Sequence, residues 1–166
     1  MKKINLLFST ALIFSMLSSC IEDRPCCDVV ISQEFNVLLQ DSEANNLLEP
    51  ATAGSINPSN SRLFLLENGE PKLFKVEGGG ILDNPYGIST TELDGDIKAR
   101  VQFQYSGNQE ELEGIIQWND TLSDTLNFTF NSAENPTFLI KISQKGQTLW
   151  DKETDQEYPI SITLNH

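Results

Sequence analysis

The chain has a single histidine among its 166 residues, and it is the last one, His166. Ser-His-Asp and Cys-His nucleophilic sites need an imidazole held on a fixed element, and a terminal residue is expected to fray. Histidine-based zinc sites fall with them. Cysteine is scarce as well: Cys20, Cys26 and Cys27 are the only three. Cys26 and Cys27 are adjacent, which allows only a strained ring or a bond to another molecule. No further ligands stand near them at metal spacing, so they read as plain thiols near the domain entrance. Basic residues are few, 11 against 24 acidic, for a net charge of -13. That field repels phosphate backbones, so no nucleic-acid partner is expected. Gly78-Gly79-Gly80 lacks the Lys-Ser/Thr and the helix that a phosphate loop needs. There is no repeat and no stretch with apolar residues at three- and four-residue spacing, so no long amphipathic helix is expected. No cofactor is implied.

What is present begins at the start of the chain. Lys2 and Lys3 precede an apolar run from Ile4 to Leu17, and the small residues Ser18 and Ser19 follow. That order is a secretory leader over 1–19. The run falls short of the ~20 apolar residues of a membrane span. Cys20 follows at once.

Leu17-Ser18-Ser19-Cys20 resembles the lipobox of bacterial lipoproteins. The resemblance implies cleavage before Cys20, a diacylglyceryl group on its sulfur and acylation of the new amino group. It makes Cys20 the lipidation site and the outer membrane the partner. Two or three acyl chains hold firmly, since each buried CH₂ adds about 0.8 kcal/mol. Ile21 stands where the inner-membrane retention signal of enteric bacteria has Asp. Glu22-Asp23 resembles the acidic export signal of surface lipoproteins of Bacteroidota. The expectation is therefore a protein of the cell outer membrane facing the cell surface. Asp41 to Ile56 (DSEANNLLEPATAGSI) and Gly146 to Trp150 are similar to segments of small lipoproteins of Bacteroidota. That family brings no activity with it.

Cleavage before Cys20 removes Lys2 and Lys3, and the 11 basic residues become 9 against 24 acidic. Residues 20–28 read as a lipidated tether and 29–166 as a single domain, a length that suits one core. Alternation dominates this domain. In Asp96 to Tyr105, Ile97, Ala99, Val101, Phe103 and Tyr105 face one way and Lys98, Arg100, Gln102 and Gln104 the other. A period of two over ten residues is a half-buried strand. Leu122 to Phe130, Thr137 to Ser143 and Pro159 to Leu164 repeat it. Further strands are expected at Val29 to Leu39, Arg62 to Glu67, Lys72 to Val76 and Leu112 to Trp118. Asn68-Gly69 predicts a two-residue hairpin, Lys145-Gly146 another tight turn, and Pro71 an edge strand. Eight or nine short strands predict an all-β, antiparallel, immunoglobulin-like sandwich, with a small barrel as the alternative. The Cys…Trp…Cys pattern of antibody domains is missing. Gln40 to Asn60 and Glu77 to Ile88 read as long connecting loops.

Candidate chemistry is sparse. Asp94 with Asp96, and Glu110, Glu111 and Glu113, are carboxylate clusters of the kind glycoside hydrolysis needs, but both read as solvated turns, so no catalytic residue is nominated. Asp41, Glu43 and Asn45 alternate like the start of a calcium loop. Asn46 and Thr52 occupy the places of its Gly and Glu, so no metal site is expected. Asp120-Thr121-Leu122 and Asp124-Thr125-Leu126 resemble the motif at which Bacteroidota attach O-glycans, which makes Thr121 and Thr125 candidate glycosylation sites. Trp118, Trp150, Tyr86 and Tyr158 have faces that could stack on sugar, although Trp118 and Trp150 read as core. The expected role is a lipid-anchored binding or interaction module for a glycan or protein. The alternatives are a structural subunit of an envelope complex or a carboxylate-dependent hydrolase.

Overall fold

The structure is a computed structural model that describes residues 33–76, 84–105, 109–131, 138–155 and 158–166. The leader 1–19, the tether 20–28 with Cys20, Cys26 and Cys27, and Gly78–Gly80 lie outside the described residues. Among the described residues ten strands form two sheets. They are β1 (Gln33–Gln40), β2 (Arg62–Glu67), β3 (Glu70–Leu73), β4 (Ile88–Leu93), β5 (Asp96–Phe103), β6 (Glu111–Gln117), β7 (Ser123–Asn131), β8 (Phe138–Gln144), β9 (Gln147–Asp151) and β10 (Ser161–Asn165).

One sheet has the order β10-β1-β5-β4 and the other β3-β2-β6-β7-β8-β9. The pairings β1 with β5 and β2 with β6 are the B–E and C–F pairings of an immunoglobulin fold. On that scheme β1 to β7 correspond to B, C, C′, D, E, F and G. Strands β8 and β9 widen the second sheet beyond G. Among the described residues strand A has no antiparallel counterpart, and β10 runs parallel to β1 along the same edge. The alternation therefore leads to an all-β sandwich, and the two sheets remain separate rather than closing as a barrel.

The inward positions of the alternating strands make the core. Phe35, Val37, Leu39, Ala99, Val101, Phe103, Leu126 and Phe128 are fully buried. Phe128 on β7 lies 5.7 Å from Phe35 and 5.0 Å from Phe103, centroid to centroid, so one ring bridges β1 and β5 of the facing sheet. Phe130 continues the ladder to Phe103 at 6.3 Å and Tyr105 at 4.7 Å. Such pairs add about 0.5–1.5 kcal/mol each beyond their buried area. Gly114 on β6 leaves room for this: a Cβ there would stand 2.5 Å from Phe128 Cε2.

Three hairpins turn on Asn68-Gly69, Asp94-Gly95 and Lys145-Gly146, all with positive φ at both positions, the signature of a type I′ turn. Pro71 sits in β3, an edge strand. Two boundaries need correction. The strand expected at Lys72 to Val76 is Glu70–Leu73, because pairing starts directly after the turn with Glu67 against Glu70. The loop expected up to Ile88 ends in strand β4, an edge strand with only Ile88 buried.

The segment 41–57 is more than a connector. Leu47 N–H donates to Leu39 O at 2.8 Å, Ile56 N–H to Leu47 O at 2.7 Å, and Asn46 Nδ2 to Ile97 O at 2.8 Å. Leu48 and Ile56 are buried with the core. The segment thus plugs one end of the sandwich.

Candidate functional site

Strand register defines two ends of the sandwich. Gln40 at the finish of β1, Asp96 at the start of β5, and the row Arg62–Gln117–Ser123 across β2, β6 and β7 lie at one of them. The plug 41–57, the β6–β7 turn 118–122 and the Asp94-Gly95 turn cluster there. In immunoglobulin terms these are the B–C, F–G and D–E connections, and sandwich loops cluster at such ends. Gln33, where the described chain enters, is at the opposite end.

At the loop end stands Asp124. It occupies an inward position of β7, in step with Leu126, Phe128 and Phe130, and is 5% exposed. A buried carboxylate is costly unless donors surround it. Three do. Its Oδ2 accepts from Trp118 Nε1 at 2.7 Å and lies 2.9 Å from His166 Nε2; its Oδ1 accepts from Gln144 Nε2 at 2.6 Å. A carboxylate can only accept, so Nε2 of His166 carries the proton in this bond. Trp118 comes from the end of β6, Gln144 from β8 and His166 from the end of β10. The network thus ties the two sheets together.

His166 therefore differs from the frayed terminus expected of it. Its backbone N–H donates to Gln40 O at 2.9 Å, and its side chain is held by Asp124. The parallel pairing of β10 with β1 carries it there.

Two cavities flank Ser123. One, of about 280 Å³, has a floor of Phe64, Pro71, Ile115 and Leu122 and a rim of Gln117 and Asp120. The other, of about 370 Å³, is bounded by Thr125, Asn127, Lys145 and Asn165 around the Asp124–Gln144–His166 network. Thr121 lines the first cavity and Thr125 the second. Both candidate glycosylation residues are exposed. They differ in setting. Thr121 Oγ1 donates to Asn119 Oδ1 at 3.0 Å inside a turn that Asn119 Oδ1 also closes by accepting Thr121 N–H and Leu122 N–H, each at 2.8 Å. Thr125 lies on strand β7, and its neighbour Asp124 is turned inward.

The remaining sequence candidates separate. Asp94 and Asp96 lie at the loop end, whereas Glu110 and Glu111 lie at the other end, one strand length away, about 26 Å for the eight residues of β5. The two carboxylate clusters do not face each other. Asp94 lies 3.5 Å from Lys98 Nζ, and that Lys98, expected on the solvent face, has a side chain only 8% exposed. Its Nζ reaches Ser161 Oγ at 3.3 Å, toward the β10 edge strand. Asp41 Oδ1 accepts Glu43 N–H and Asn45 N–H at 2.9 Å each, and its Oδ2 accepts Asn45 Nδ2 at 2.9 Å. These bonds, the Asn45 side chain's first, hold its carboxyl below the ordinary carboxylate range. Among the described residues no group of three or more His, Cys, Asp or Glu could hold a metal ion.

Trp118 and Trp150 are buried in the core. Neither offers a face to a sugar. Tyr86 has the Arg62 guanidinium 3.9 Å above its ring. Tyr158 is exposed but belongs to the approach to β10, outside the loop-end site.

Sequence reasoning missed Asp124 and His166. The signal for Asp124 was legible: a charged residue at an inward position of an alternating strand needs a partner. No local signal announces His166, because its neighbour β1 is more than 120 residues away in the chain. No protein family, no curated protein and no solved structure matches this chain.

Proposed function

We propose that the chain is a lipid-anchored binding module of the outer membrane. Cys20 carries the lipid, the domain faces the cell surface, and the loop end is its binding face. The lipobox-like Leu17–Cys20 and the acidic Glu22-Asp23 support the anchor and the address. The observation that carries the reading is the direction of β1. The chain enters at Gln33 and leaves β1 at Gln40, about 26 Å further on for eight residues. A tether from Cys20 therefore joins the end opposite the two cavities. The anchored domain would hold its cavities away from the bilayer. A glycan or a protein is the ligand class this supports, and the strong negative charge argues against nucleic acid. Thr121, on the exposed F–G turn, is the better placed of the two candidate glycosylation sites.

Cells expressing the full-length chain should incorporate an alkyne-labelled palmitate into it, and Cys20→Ala should abolish the label and release the protein from membranes. Equal labelling of the two forms would refute the anchor. Mass spectrometry of the native protein should find sugar on Thr121; bare Thr121 and Thr125 would remove the modification.

A further inference from the structure

Ser123 lines both cavities, so the two adjoin at the loop end and are taken together as one groove. We infer that this groove binds a neutral saccharide, recognised by side chains alone. The inference rests on the loop end being the binding face and names the ligand class for it.

The centre of the groove is built on β6, β7 and β8, with β2, β3 and β10 at its margins, and each of the central three is paired on both sides, β6 between β2 and β7, β7 between β6 and β8, β8 between β7 and β9. Their backbone N–H and C=O groups already serve the sheet ladders. An extended peptide gains most of its affinity by adding main-chain hydrogen bonds to a free sheet edge. The free edges that reach this groove do so only at its margins, β3 through Pro71, which has no N–H to give, and β10 through Asn165. What it offers instead is side chains. Among the described residues, no hydrogen bond or ion pair engages the side chains of Gln117, Asp120, Ser123, Thr125, Asn127 or Lys145. They comprise amides and hydroxyls that both donate and accept, one carboxylate and one ammonium.

That mixture matches a ring of hydroxyls. Each sugar hydroxyl both donates and accepts, and a sugar ring also has a face of C–H groups. The apolar floor of Phe64, Pro71, Ile115 and Leu122 suits that face. The charge balance selects a neutral sugar. Asp120 and Lys145 lie in different halves of the groove, and no cationic cluster is present to hold a sulfate, phosphate or uronate. A net charge of -13 further repels anionic chains. The Asp124 network fixes the wall of the second cavity, so that half of the groove is formed before the ligand arrives. Preformed pockets of a few hundred Å³ with a handful of convergent polar groups are the usual small-ligand sites.

The test uses the full-length protein in detergent micelles. The probes are mannan, xylan and β-glucan oligosaccharides, with polygalacturonate fragments, heparin oligosaccharides and a random-peptide pool as counterparts. At least one neutral oligosaccharide should shift the amide signals of 117–127 and leave those of β4 in place. The double variant Gln117→Ala/Asn127→Ala should bind it at least ten-fold more weakly while keeping the wild-type melting point. Should that variant misfold, Lys145→Ala on the surface turn supplies the comparison, with a three-fold or greater loss expected. The inference is overturned if no neutral oligosaccharide moves these signals, if an anionic chain or a peptide is preferred, or if the variants bind as the wild type does. Palmitate labelling of the same preparation separates the two claims. Labelled protein with an unresponsive groove loses the saccharide alone, and unlabelled protein that binds the sugar loses the anchor alone.

Discussion

Asp124 gives the sharpest test of how the loop end is held. Replacing it with Ala removes the acceptor of three donors at once. Trp118 Nε1–H is fully buried and would be left without a partner, at about 1–3 kcal/mol. Gln144 and His166 sit at the cavity, where water can replace the carboxylate, so each loses about 0.5–1 kcal/mol. The expected destabilisation is about 2–5 kcal/mol. For a domain of this size each kcal/mol moves the melting point by about 3–5 °C, so Asp124→Ala should melt about 6–25 °C lower. Asp124→Asn keeps an acceptor for Trp118, and Gln144 can turn its amide to meet the new NH₂; the cost should fall to about 1–2 kcal/mol. Urea unfolding followed by tryptophan fluorescence reads this directly, since Trp118 is bonded to the altered residue. A Trp118→Phe background provides the check. There Asp124→Ala should cost at least ~1 kcal/mol less, because the stranded donor is gone. Asp124→Ala within 0.5 kcal/mol of wild type would refute the claim that this carboxylate organises the loop end.

Other consequences follow from the same geometry. Gly114→Ala should destabilise the sandwich by about 1–3 kcal/mol, since the new methyl would stand 2.5 Å from Cε2 of the fully buried Phe128 ring; denaturant midpoints check it, and an unchanged midpoint would contradict the packing. Phe128→Ala should cost about 3–5 kcal/mol by removing the ring between Phe35 and Phe103. Asp41 titrates below the ordinary carboxylate range in the folded chain, so its contribution is present above that range and is lost as pH falls through the lowered value. The protection of amides 43–45, relative to their intrinsic exchange rates, should therefore fall at acidic pH, and Asp41→Asn should remove that acid step; protection that is flat with pH would refute it.

Much of the architecture is legible because burial acts on every second residue. Strands β5, β6, β7, β8 and β10 show themselves through apolar residues at inward positions, and Asn68-Gly69 and Lys145-Gly146 through turns that demand positive φ. Strand β4 escapes because it is an edge, with Ile88 its single buried residue among Ser89, Thr90, Thr91 and Glu92. The plug 41–57 reads as a loop because its apolar residues, Leu47, Leu48 and Ile56, follow no period; their order comes from capping the core. Lys98 and His166 depend on β10, whose parallel alignment with β1 is a tertiary event. The loop-end groove is assembled from β2, β3, β6, β7, β8 and β10 and has no contiguous signature. Thr121 and Thr125 entered the sequence reading as modification sites, and the fold places each on one half of that groove.

The anchored arrangement turns on one thiol. Intact-mass analysis of the protein purified from cell envelopes in detergent tests it most directly. The account predicts a chain that begins at Cys20, carrying the added mass of a diacylglyceryl group and a further acyl chain on that residue. A mass equal to the unmodified polypeptide, or a chain starting anywhere else, would contradict it.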